Sequence, residues 1–380
     1  MIIYADNAAT TKMSRPALDA MTACMAEVYG NPSSLHSTGQ RAYQALTDAR
    51  ERIATFLGCQ PNEIIFTSGG SESDNQAVRS AALTGARSGK KHIISTVFEH
   101  HAVLHTLEQL KAEGFEITLL DVPPNGIIDP DEVGREIRPD TCLVTVMYAN
   151  NEIGTIQPVP EIGAICRSKG ILFHTDAVQA GGHLDIDVRE QHIDMLSLSA
   201  HKFHGPKGVG LLYCRREVPL NSLIYGGAQE KGRRAGTENV PGIAGMAAAF
   251  EDSLRNLPQK QQRVSAMRDR LIRELSMIPD AYLNGDAEMR LSGNVNFSFA
   301  GIDGEALLMI LDENGIAASS GSACTAGSMD PSHVLLALGR SYELAKGSLR
   351  LSIDEENCEE EIETIVREVT AGVNLLREIG

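Results

Sequence analysis

EIIFTSGGSESDNQAVRSAALTG, residues 63–85, reads as one complete strand-to-helix unit. Residues 63–67 are a short apolar run of the kind a buried strand needs. Small residues then make a turn at 68–71, and 73–85 carries an amphipathic helical pattern. The unit recurs along the chain. Strand-like runs at 92–96, 116–120, 142–148, 171–175, 195–199 and 209–214 read as buried, with helical stretches at 39–57, 101–114 and 159–168. Strands alternating with helices predict an α/β fold: a mainly parallel sheet of these seven runs, covered by helices on both faces.

The texture changes near LPQKQQR, residues 257–263. Beyond it come a long helical stretch, a strand-like NVNFSF at 294–299, another helix, a strand-like run at 348–353 and an acidic helix from near Glu359. This pattern predicts a large domain over 15–258 and a smaller α+β domain from 1–14 and 259–380.

The 34 Lys and Arg against 50 Asp and Glu give a formal charge of −16. That balance excludes general nucleic-acid binding, which needs a basic face. No apolar run approaches the roughly 18 residues of a membrane span, and MIIYADNAATT lacks the basic region and apolar core of a signal peptide. Seven widely spaced cysteines without a CxxC fit a reducing cytoplasm better than a disulfide framework.

Active groups in such a sheet gather at the C-terminal ends of its strands, and polar clusters stand there. In SGGSESDN, small residues let backbone N–H groups approach an anion at a helix start, with Ser71 as helix N-cap, phosphate ligand or both. Asp176 follows the run 171–175, with Gln179 three residues on; an acid there caps the chain or holds a protonated ring nitrogen. In ANNEIG, Asn151 suits an Asx turn or a hydrogen bond to a phenolic oxygen. FEHHAVLH places His101 and His105 at i,i+4 spacing beside Glu99 and His100, but HEXXH is absent, so no metal is expected in the free protein. One histidine at a strand end, stacking on a ring and moving a proton, fits better. Lys202, in SLSAHKFHGPKGVG, suits Schiff-base chemistry once its amine is desolvated. Cys324 stands among Gly, Ser and Ala in SSGSACTAGSMDPSH, a loop composition. Arg350, in SLRLSI, forms an ion pair or grips a carboxylate. GARSGKK and GPKGVG fall short of the phosphate-loop and dinucleotide patterns.

Taken in order, YADNAATT, GNPSSLHSTG, FTSGGSESDN, EHHAV, ANNEIG, HTDAVQ, SAHKFHGPKG, RRAGTEN and SSGSACTAGS resemble the cysteine desulfurases of the NifS/IscS type. These are class V aminotransferase-like, fold-type I enzymes of pyridoxal 5'-phosphate, and the resemblance runs nearly end to end. It implies that Lys202 carries the cofactor as a Schiff base and that His100 stacks on its ring as an acid–base. Asp176 would partner the ring nitrogen, Gln179 and Asn151 would lie near the phenolic oxygen, and Gly70, Ser71, Ser199 and His201 would form the phosphate cup. Thr237 would reach the phosphate of a neighbouring subunit, which implies a homodimer. Arg350, with Asn151, would hold the carboxylate of L-cysteine.

Cys324 would be the nucleophile that becomes a persulfide, alanine being released and the sulfur passed to an acceptor protein such as an iron–sulfur scaffold or a tRNA-thiolation enzyme. The resemblance also implies, for some relatives, a [2Fe–2S] cluster shared with a scaffold through the persulfide of the cysteine that matches Cys324. The Cys324 loop resembles the longer-loop branch; the RxGHHCA-like segment of the other branch is absent. Two departures stand out: Ser71 where many relatives have threonine, and an end at Gly380 without the tail by which housekeeping members engage their scaffold. Selenocysteine lyase, or another lyase or aminotransferase on the same fold, is the competing reading; it has no need of Cys324.

Overall fold

The computed structural model describes residues 2–320 and 330–379. Its strands are β1 (Ile3–Tyr4), β2 (Ile64–Thr67), β3 (His92–Thr96), β4 (Glu116–Leu120), β5 (Thr141–Thr145), β6 (Leu172–Asp176), β7 (Met195–Ser199), β8 (Gly210–Cys214), β9 (Ala281–Leu283), β10 (Asn294–Phe299), β11 (Ile316–Ala317) and β12 (Ser348–Ser352). Seven of them form one sheet in the order β2-β8-β7-β6-β5-β3-β4. Neighbours from β7 to β4 pair parallel, while β8 runs antiparallel to both β2 and β7. The expected α/β fold with a mainly parallel seven-stranded sheet is therefore the observed one. β2, β3, β5, β7 and β8 are buried along their whole length, as apolar strands under helices on both faces must be.

Two strands differ from the sequence expectation. Residues 116–120, read as buried, form the edge strand β4, whose Glu116 and Leu119 face solvent. An edge strand has a neighbour on one side only, and apolar content alone does not reveal that position. The run 142–148 ends as a strand at Thr145. Beyond it the extended chain still pairs with β6, Val146 N–H donating to His174 O at 3.2 Å and Tyr148 N–H to Asp176 O at 2.8 Å.

A second antiparallel sheet, β12-β10-β9, and the parallel pair β1-β11 stand apart from the large one. They have their own apolar cluster, in which Phe297, Phe299, Leu349 and Leu351 pack with Leu271 and Ile365 from the helices Leu257–Leu275 and Glu359–Ile379. Ala5 belongs to that cluster too, so the start of the chain lies with its end. Among the described residues no helix is long and apolar enough to cross a membrane.

One close approach sets the geometry at the sheet's C-terminal edge. A Cβ on Gly210 would lie 2.5 Å from Gly69 Cα and 2.6 Å from Leu198 O. Glycine at the start of β8 thus lets the 68–71 turn rest directly on the ends of β7 and β8. Gly210→Ala is expected to cost about 1–3 kcal/mol through overpacking against backbone, read as a lower urea midpoint at unchanged m.

Candidate active site

The C-terminal ends of the parallel strands open into a cavity of about 320 Å³. Gly70, Ser71, His100, Asn151, Asp176, Gln179, Ser199, His201, Lys202 and Arg350 all line it, brought together from separate segments. Thr237 does not line it and is exposed on the surface. Cys324 lies outside the described residues.

The turn after β2 is capped two residues earlier than expected. Gly69 caps the helix Gly70–Ala86, so Ser71 is in the first turn and is not its N-cap. Thr67 and Ser73 hydroxyls, 2.8 Å apart, brace the turn. Glu72 accepts from Ser68 N–H at 2.8 Å and from Arg234 Nε at 2.9 Å, which leaves the helix's positive end directed at the cavity.

His100 caps the helix His101–Ala112, its Nδ1 accepting from Ala102 N–H at 3.1 Å. In a neutral ring that bond places the proton on Nε2. Burial pushes the His100 pKa down to about 4, helped by the charge of Lys202. Burial likewise lowers His201 to about 4, and its Nδ1 meets the Thr10 hydroxyl at 3.1 Å.

Asp176 ends β6 and accepts from Val178 N–H at 2.9 Å. Burial raises its pKa to about 6, against the pull of that N–H and of Lys202. Lys202 stands in a 3₁₀ turn immediately after β7. Its Nζ donates to Ala8 O at 2.6 Å and Ala9 O at 2.9 Å, and Gln179 Nε2 donates to Ala8 O at 2.9 Å.

The Asx turn in ANNEIG belongs to Asn150, whose Oδ1 accepts from Glu152 N–H at 2.8 Å and Ile153 N–H at 3.1 Å. Asn151 instead offers its carbonyl to Arg350 Nη1 at 3.0 Å. Arg350 comes from β12 in the small sheet and is the cavity's second cation. Its Nη2 pairs with Asp6 Oδ1 at 3.0 Å.

Sequence reasoning missed the carbonyls of Ala8 and Ala9 and the buried carboxylates of Asp74 and Glu152, and it named Glu99 only beside the histidines, without its burial. Asp74 lines the cavity, with Oδ1 3.6 Å from His174 Nε2. Burial, and then the charge of Asp176, raise its pKa well above the usual range. Glu99 accepts from the Thr96 hydroxyl at 2.7 Å and Met147 N–H at 3.0 Å, and burial raises it to about 8. Glu152 accepts from the hydroxyl of Ser332, the cap of the helix His333–Ala337, and burial raises it to about 7. The one available signal was Asp74 one helical turn after Gly70, on the face that meets the sheet. His101 and His105 rings lie 5.0 Å apart. No group of three or more His, Cys, Asp or Glu among the described residues is arranged to hold a metal ion.

The arrangement resembles known proteins. The family described as aminotransferase class-V matches residues 3–365. A "Cysteine desulfurase IscS" of Clostridium botulinum is 49% identical over all of this chain and 96% of its own. One of Methanosarcina thermophila is 48% identical over all of this chain and 93% of its own. A solved "NIFS-LIKE PROTEIN" superposes with a TM-score of 0.93 at 37% identity, covering 99% of this chain and 100% of its own. The structure titled "SspA in complex with cysteine" superposes at 0.81 with 38% identity over 93% and 99%.

These shifts dictate a pH dependence. His100, lowered from 6.5 to about 4, contributes stability that is present above pH 6.5 and lost as pH falls through 4. Glu99, raised from 4.5 to about 8, contributes stability that is full below pH 4.5 and lost as pH rises through 8. Urea titrations are expected to show a smaller loss between pH 6 and 9 for Glu99→Gln, and a smaller loss between pH 6.5 and 4 for His100→Asn, than for the parent.

Proposed function

The chain belongs to the class-V aminotransferase family and, within it, to the cysteine desulfurases related to IscS, and from that membership we propose that it moves sulfur from L-cysteine to Cys324 with pyridoxal 5'-phosphate held in the cavity. The observation that carries this reading is the convergence, around one cavity, of a lysine amine, a carboxylate, an imidazole, a helix N-terminus and an arginine. Its fold is that of the NifS-like fold-type I enzymes.

The residues present fit the cofactor. The turn at Gly69–Ser71 supplies backbone N–H groups and the helix's positive end for a phosphate. Ser199 and His201 stand on the same rim. Asp176, buried beside Lys202, suits a protonated ring nitrogen, and His100 suits the ring face. Asn151 and Gln179, on the same cavity, would hold the phenolic oxygen with their amides. When bound, pyridoxal phosphate supplies an electron sink that labilises bonds at the amino acid's α- and β-carbons.

The chain's own groups do the rest. Lys202 would hold the cofactor and, as a free amine, would move a proton at the substrate's α-carbon. Arg350 and Asn151 hold the substrate carboxylate. His100, neutral near pH 7 with its proton on Nε2, exchanges a proton with thiol or substrate. A free thiol with a pKa of about 8.5 is mostly protonated at pH 7, so Cys324 needs that base. The atoms balance: the Cβ–S bond of L-cysteine breaks, an S–S bond forms on Cys324, and L-alanine leaves with the proton that the thiol lost.

A homodimer belongs to the same proposal. Thr237 is exposed, and so are the large side chains Tyr29, Leu35 and Tyr225, at 76%, 92% and 86%. A second copy would cover these side chains and bring Thr237 to its cofactor phosphate. The division at 15–258, with 1–14 and 259–380 as the small domain, is also proposed, supported by the separate apolar cluster around β10 and β12. A sulfur-acceptor protein, a cytoplasmic location and no direct nucleic-acid or membrane binding complete the reading, in keeping with the charge of −16.

Cys324→Ala is expected to lower sulfide release from L-cysteine by roughly 10³-fold or more while the cofactor's visible absorbance stays. Lys202→Ala is expected to abolish both. Full sulfide release by Cys324→Ala would leave a lyase without persulfide as the activity.

A further inference from the structure

Arg350 is embedded, its side chain only 3% exposed, and a buried guanidinium without a counter-ion is costly. Asp6 pairs with it at 3.0 Å, but the Asp6 side chain is 21% exposed. The two partners are thus unequal: Asp6 can turn to water at small cost, whereas Arg350 cannot.

The occupied atom matters. A carboxylate bridges a guanidinium side-on through Nε and Nη2. Asp6 holds Nη2, while Nε is buried with no partner among the described residues. Nη1 is engaged separately by Asn151 O at 3.0 Å, a bond that would keep the guanidinium in place if Asp6 left. The Asp6 backbone is pinned independently of its side chain. Asn7 N–H and Nδ2 both donate to Ser352 O, at 3.1 and 2.9 Å, and Ala8 N–H donates to the Ser352 hydroxyl at 2.8 Å. The Asp6 carboxylate can therefore swing on χ1 while its strip of chain stays fixed.

We propose that Asp6 is a resident counter-ion of Arg350 that the carboxylate of the incoming amino acid displaces from Nη2, so that Asp6 sets the affinity of the site for amino-acid carboxylates. This rests on the reading of Arg350 as the substrate-carboxylate clamp. No covalent bond changes; one ion pair is exchanged for another. In the empty site the Asp6 charge keeps Arg350 from capturing small anions. In the filled site it repels the substrate carboxylate at close range, which weakens binding of product as well as substrate.

The experiment compares Asp6→Asn, Asp6→Glu and Arg350→Gln in the cofactor-loaded enzyme. Asp6→Asn keeps an acceptor for Nη2 and removes the charge. It is expected to lower KM for L-cysteine by roughly three- to tenfold, to tighten L-alanine binding in calorimetry by the same factor, and to make the enzyme more sensitive to acetate. Asp6→Glu, with the charge kept and the reach lengthened, is expected to raise KM, and it tests the same point if the Asn variant does not fold. Asp6→Asn with KM and L-alanine affinity unchanged or weakened, or Asp6→Glu with KM unchanged or lower, would overturn the exchange. Failure of the parent reading is seen separately, as an Arg350→Gln variant whose KM for L-cysteine and L-alanine affinity equal the parent's.

Discussion

Two carbonyls holding one amine are the contact on which the rest of the site depends. Lys202 Nζ donates to Ala8 and Ala9 at 2.6 and 2.9 Å, joining the end of β7 to the start of the chain. That strip is fastened on both sides. Asn7 and Ala8 bond to Ser352 of the small sheet, while Thr11 N–H donates to His201 O at 2.9 Å and its hydroxyl accepts from His204 N–H at 2.7 Å. Residues 6–11 therefore run between the two sheets, and the lysine's position is fixed by both. Backbone oxygens of the strip thus accept from the lysine ammonium at the point where the two sheets meet.

Burial has sorted the charges around the cavity. It moves carboxylates up and imidazoles down, so Glu99 near 8, Glu152 near 7, and His100, His201 and His174 near 4, 4 and 3 all shift toward their neutral forms. The raised Asp74 belongs with them. What stays charged is small in number and placed at the ends: Arg350 against Asp6 on one side, the helix N-terminus at Gly69–Ser71 on another, and Lys202 beside Asp176 between. A neutral His100 can accept a proton, which an imidazolium could not do, and the Lys202 charge beside it makes that proton easy to give up again.

Much of this was legible in the sequence because strand ends are marked by composition. Apolar runs stop at Thr67, Asp176 and Ser199, and the polar residues that follow fall into the cavity without further information. Where local chemistry is degenerate, the reading slips by one or two residues. Asn150 and Asn151 are equally good Asx residues, and only the packing of Ile153 and the position of Arg350 decide which one turns the chain. Gly69 and Ser71 are equally plausible caps, and the contact of Gly69 with Gly210 across the sheet decides between them. The edge position of β4 and the carbonyls of Ala8 and Ala9 were not legible, since both depend on partners far along the chain. Cys324 was singled out by its Gly, Ser and Ala surroundings and by resemblance; it lies outside the described residues.

The same few residues of the N-terminal strip touch both ends of the reacting molecule's expected position. Asp6 faces Arg350, which comes from the small sheet, and Ala8 and Ala9 face Lys202, which comes from the large one. Between them the chain is short and hydrogen-bonded throughout, so it has little freedom to move one contact without the other. Arg350 on β12 and Lys202 after β7 are thus linked through the four residues 6–9 rather than through either core. A substitution that shifts this strip relative to β12 would change the spacing between guanidinium and amine, and a positioned reaction is sensitive to such spacing on the scale of an ångström.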